Sequence, residues 1–107
     1  YAKKTELPDI SNKADKVTAV DHGTNDTTFA ITPNVFHKWG EVATLDLTLA
    51  SETSGVLNEY MFQFTSGTTP TVLTLPETVN WIGENTIEAS KTYQVSIVNN
   101  LAVLGGA

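Results

Sequence analysis

Apolar and polar positions alternate in short runs along the second half of the chain, and each run is closed by a turn signal. Leu45, Leu47 and Leu49 alternate with Asp46 and Thr48; Tyr60, Phe62 and Phe64 with Met61 and Gln63; Tyr93, Val95 and Ile97 with Gln94 and Ser96. A period of two puts every second side chain on one sheet face, and no helical template fits these runs. Upstream, Val20 and then Phe29 with Ile31 give weaker versions of the pattern, and Val35 to Trp39 is a further short candidate. Between the runs lie His22-Gly23-Thr24-Asn25-Asp26, Thr32-Pro33-Asn34, Ser51 to Gly55, Ser66-Gly67-Thr68-Thr69-Pro70, Gly83-Glu84-Asn85 and Asn99-Asn100. Such segments turn the chain because Gly, Asn and Asp tolerate a left-handed backbone and proline presets φ. Turns roughly eight to twelve residues apart are the signature of a sandwich or barrel, here of about eight or nine strands. The expected architecture is all-β, a single small β-sandwich or jelly-roll-like knob domain over residues 18–107.

Residues 1–17 differ. Four of the six lysines fall there, and Leu7, Ile10, Ala14 and Val17 follow the three-four-three spacing of a coiled-coil seam. Pro8 is acceptable only in the first turn of such a helix. A helix that short is marginal in water unless it packs on something. The segment therefore reads either as a short linker or as a trimeric coiled coil, a stalk connector whose oligomerisation residues would be Leu7, Ile10, Ala14 and Val17.

Composition sharpens the picture in three places. Threonine fills 17 of 107 positions, and its β-branch favours the pleated backbone. There is no cysteine, which removes disulfides, thiolate chemistry and cysteine metal sites. The net charge is −6, with six lysines, no arginine and no basic cluster, so nothing is available to neutralise phosphates. Nucleic acid and anionic membrane surfaces are thereby disfavoured as partners, and no apolar run approaches the roughly 20 residues that span a bilayer.

Three blocks carry a family resemblance. The lead Tyr1 to Ile10 with Asn12-Lys13-Ala14-Asp15-Lys16 resembles the repeated connector of fibre proteins of tailed bacteriophages and prophages. Asp21-His22-Gly23-Thr24 through Thr32-Pro33-Asn34 to His37-Lys38-Trp39-Gly40 resembles the distal β-domains of the same proteins. So do Phe64-Thr65-Ser66-Gly67-Thr68, Leu73-Thr74-Leu75-Pro76, Trp81 and Ile87 to Tyr93. The resemblance implies a virion fibre, on head or tail, that forms a homotrimer ending in a knob and is extracellular when assembled. Its partners would be its own copies and a host cell-surface polysaccharide or protein.

Candidate chemistry is sparse. Trp39, Trp81 and Tyr60 could form an aromatic platform for sugar rings, Trp81 being the better candidate with Asn80, Glu84 and Asn85 beside it to bond hydroxyls, although aromatic residues in a small β-domain more often belong to the core or a subunit interface. That is the basis of an alternative reading, a monomeric carbohydrate-binding module of a larger secreted protein. A third reading is a capsid decoration piece in which the tryptophans are interface residues. His22 and His37 with Asp21 or Asp26 offer imidazole and carboxylate to a metal, but two histidines fifteen positions apart also read as polar strand ends. A serine triad from Ser66 has no nucleophile-elbow context, and Ser66-Gly67 reads as a turn. Asp46, Glu59, Glu77 and Glu88 supply carboxylates, but a deep glycosidase cleft is hard to build in so small a β-domain, and Asp46 alternates with leucines as a solvent-facing residue does. The expectation is a protein without catalytic activity, metal or cofactor.

Overall fold

The computed structural model describes residues 18–106, so the proposed seam of Leu7, Ile10, Ala14 and Val17 lies outside the described residues. The strands are β1 (Thr18–Gly23), β2 (Thr28–Ile31), β3 (Val35–Glu41), β4 (Thr44–Leu49), β5 (Glu59–Thr65), β6 (Val72–Thr74), β7 (Asn80–Trp81), β8 (Thr92–Val98) and β9 (Leu101–Gly106). They form two facing sheets, one of six strands ordered β1-β3-β5-β8-β9-β7 and one of three ordered β2-β4-β6.

The path of the chain is the unexpected part. From β1 to β6 the chain crosses to the other sheet at every step, and β1 to β4 each pair in parallel with the strand two places on. The chain therefore coils through three rungs, β1 with β2, β3 with β4, and β5 with β6. Only then do antiparallel pairs appear: β8 runs against β5 and β9 against β8, with β7 parallel to β9 at the far edge. Greek-key and jelly-roll domains are built from antiparallel neighbours. Two packed sheets are thus observed, but the wiring of the first six strands is that of a coil.

Alternation decides which side chains meet. Parallel register stacks Phe29 on Leu47, Ile31 on Leu49 and Leu45 on Leu73 in the small sheet. The large sheet answers with Trp39, Phe62, Phe64, Tyr93, Val95, Ile97 and Ala102, all buried. Aromatic rings run through this core in sequence: Trp39 edge-on to Phe62 at 6.5 Å, Phe62 to Phe64 at 6.2 Å and Phe64 to Tyr93 at 5.6 Å between centroids. The turn that joins β8 to β9 is the one the sequence marked, Asn99 (φ 53°) and Asn100 (φ 62°). Two consecutive left-handed residues make the type I′ hairpin whose twist matches its strands, and asparagine accepts that conformation at low cost.

Ser66 and Thr71 close the crossing from β5 to β6 inside the protein. The Thr71 hydroxyl donates to the Val42 carbonyl at 2.6 Å, the Thr71 N–H donates to Ser66 Oγ at 3.1 Å, and the Ser66 hydroxyl returns a bond to Thr71 Oγ1 at 3.3 Å. Thr71→Val keeps the shape and leaves the Val42 carbonyl and Ser66 hydroxyl short of partners. Because a buried polar group left without its bond costs about 1–3 kcal/mol, the urea midpoint should fall accordingly.

Candidate functional surface

The outward side of the six-stranded sheet carries a row of mostly apolar residues, broken on β8 by Ser96. Register places Ala19 beside Phe36, Phe36 beside Met61, Met61 beside Ser96, and Ser96 beside Val103. Ile82, just past β7, donates its N–H to the Ala102 carbonyl and extends the row to the last strand. Val103 is 49% exposed, Ile82 50% and Leu101, one row over, 45%. Phe36, Glu59, Met61, Ser96 and Val103 line a shallow depression of about 410 Å³ on this face.

The neighbouring row is polar and partly bonded within the chain. It runs from Asp21 through Lys38, Gln63 and Gln94 to Gly105, and the Gln94 side-chain amide donates to Gln63 at 2.8 Å. Within the apolar row the Ser96 hydroxyl donates to the Glu59 carboxylate, so its one polar member is also satisfied. Its apolar members Phe36, Met61 and Val103 face outward. The largest apolar patch on a soluble domain is often a contact site, and the parallel part of this sheet, β1-β3-β5, is of the kind usually covered on both faces.

The aromatic platform is not assembled. Trp39 and Tyr60 share strand parity with the buried His37 and Phe62, so both rings face the core, exposed by only 1% and 4%. Tyr60 donates its hydroxyl to the Ala50 carbonyl and Trp39 donates Nε1–H to the Asn25 carbonyl at 2.8 Å, which satisfies their polar atoms inside. Neither offers a face to a sugar. Burial holds the Tyr60 phenol above its ordinary pKa, with Glu52 adding to the effect. Trp81 is half-buried against the core, and Asn85 stands in the exposed loop before β8. In that loop Lys91 pairs with Glu88 at 2.7 Å, which lowers the Glu88 carboxyl pKa and raises that of Lys91.

The two histidines are brought together, but on each other. His22 Nε2 lies 2.9 Å from His37 Nδ1, and His22 Nδ1 lies 3.0 Å from the Asp26 carboxylate. His37 Nε2 accepts from the Thr32 N–H at 3.2 Å and meets the Thr32 hydroxyl at 3.1 Å. His22 stacks on Trp39 at 4.3 Å and leans on Phe29 at 4.6 Å. All four ring nitrogens are engaged, and Asp21 accepts instead from the Gly23 N–H. Among the described residues no three His, Asp or Glu side chains converge as a metal site. Asp46 and Glu59 stand on the outer faces of opposite sheets, so that pair does not flank a common cleft.

Sequence reasoning missed the apolar row because Phe36, Met61 and Val103 come from different strands. Strand parity gave their direction, but only the register lines them up, parallel from β3 to β5 and antiparallel from β5 through β8 to β9. The chain matches no family model, no curated protein and no solved structure.

Proposed function

We propose that this chain is a structural domain of a virion fibre that assembles as a homotrimer and presents exposed turns for host attachment. The observation that supports the reading is the mostly apolar row on the outward face of the six-stranded sheet, from Ala19 through Phe36 and Met61, past Ser96, to Val103 and Ile82. Three such faces turned towards a common axis would bury it, and each copy would keep its small sheet and turns outside. The turns at Asn25-Asp26, Ser51 to Gly55 and Gly83 to Asn85 then carry target contacts, to a surface polysaccharide or protein, and three weak contacts per assembly add through multivalency. No step of this work calls for a catalytic group, a cofactor or a metal. The carbohydrate-module reading loses two of its three aromatic rings to the core.

The test is the solution mass of the full chain by light scattering over a range of concentrations. A mass three times that of the chain is the expected result. A monomer at high concentration overturns the proposal.

A further inference from the structure

The rings of His22 and His37 form one hydrogen-bonded chain whose ends are fixed. A backbone N–H can only donate, so His37 Nε2, facing the Thr32 N–H, carries a lone pair. His37 therefore holds its proton on Nδ1 and donates it to His22 Nε2. His22 in turn holds its proton on Nδ1 and donates to Asp26. Both rings are neutral, and both are Nδ1–H tautomers, each set by the bond that the other ring nitrogen makes.

Another proton breaks a bond of this arrangement. Protonating His37 sets an N–H against the Thr32 N–H, which loses its acceptor even where the Thr32 hydroxyl, 3.1 Å from Nε2, turns to accept the new proton. Protonating His22 sets an N–H against the Nδ1–H of His37, and if His37 changes tautomer to accept it, the Thr32 N–H again loses its acceptor. Two protons place like charges on rings whose centroids are 5.2 Å apart. The charged group bonded to the pair is Asp26, 55% exposed, so its counter-charge is weakened by solvent. Phe29 and Trp39, which pack on the rings, are uncharged, and Asp21 and Lys38 lie on the outward side of the sheet. Burial, and secondarily the neighbouring His22, hold the His37 pKa below its ordinary 6.5.

The position of the pair gives this chemistry a mechanical consequence. His22 lies near the end of β1 and Thr32 directly follows β2, so the chain of bonds ties together the two strands of the first rung. Both are edge strands, each held by a single ladder, β1 to β3 and β2 to β4. Elements held this way open locally at lower free energy than the centre of a sheet.

We infer that the His22–His37 pair is an acid-operated latch, whose protonation releases β1, the turn at residues 24–27 and β2 while the later strands stay folded. The inference does not rest on the fibre reading. A depressed folded pKa means that the opened form binds the proton first. The contribution is complete above about pH 6.5 and is lost as pH falls from there through the lower folded value, the opened fraction rising by up to about tenfold per pH unit for each proton taken up.

Hydrogen exchange of the full chain, read by mass spectrometry at about pH 7.5 and about pH 5 with labelling times scaled for the intrinsic pH effect, tests this across the titration range of histidine. Residues 18–32 should lose protection by about tenfold or more, with β5 and β8 unchanged. The double variant His22→Gln, His37→Gln supplies amides that donate and accept without titrating, and should abolish the loss. Should that variant not fold, nitrogen NMR of the wild-type imidazoles decides, because both rings must be Nδ1–H tautomers at neutral pH. An Nε2–H tautomer on either ring, a loss shared equally by all strands, or an undiminished loss in the double variant overturns the latch.

Discussion

Replacing Trp39 by alanine should unfold the domain rather than silence a binding site. The indole is 1% exposed, sits edge-on to Phe62 and stacks on His22, so its removal takes a large ring from a close-packed core. Truncations of buried aromatic residues cost about 3–5 kcal/mol, against a total stability of about 5–15 kcal/mol for a domain. Two further effects act in the same direction. The Asn25 carbonyl loses the Nε1–H donor that fixes the turn after β1, and the His22 ring loses its stacking partner. Urea denaturation followed by circular dichroism should show the midpoint collapsing for Trp39→Ala. Trp39→Phe keeps most of the packing, loses the hydrogen bond, and should cost about 1–2 kcal/mol. A folded Trp39→Ala variant of near wild-type stability would refute the burial of this ring.

Burial decides between the two readings the sequence left for Trp39, sugar platform or core, and shows where period-two reasoning stops. Alternation told which residues share a face: Tyr60, Phe62 and Phe64 point one way, Met61 and Gln63 the other, as observed. It also made Asp46 a solvent-facing residue between leucines, and Asp46 is exposed. Side-chain parity follows from the local backbone, so it is legible in a run of five residues. Strand partners are not local. The turn compositions at Ser51 to Gly55 and at Ser66 to Pro70 are as compatible with a crossing to the facing sheet as with a hairpin, and crossings are what occur. The short strands β6 and β7 left almost no pattern to read. The histidine pair was hidden for the same reason. His22 and His37 become neighbours because β1 and β3 run parallel, with Val20 opposite His37 and an irregularity between Asp21 and Gly23. Two histidines fifteen positions apart carry no sign of that register.

The outward face offers the complementary experiment, with parity as its internal control. Phe36→Lys and Met61→Lys place a charge on the outward face, where both side chains are half-buried but a lysine stem can carry its ammonium to solvent, so the single chain should still fold, with its stability lowered by about 1 kcal/mol. If the row is where copies meet, each lysine is brought against apolar neighbours and against its own symmetry mates, and desolvating an unpaired charge costs several kcal/mol per ion. Because three copies carry every substitution, that cost is incurred three times in each assembly. On the proposed assembly, the full chain carrying either change should therefore sediment as a monomer, with its circular dichroism unchanged, where the wild type is expected to sediment as a trimer. Phe62→Lys, one position along β5 from Met61 but 0% exposed, should instead abolish folding. A trimer unaffected by Phe36→Lys and Met61→Lys together would move the interface away from this sheet and leave the seam at Leu7, Ile10, Ala14 and Val17 as the element to test next.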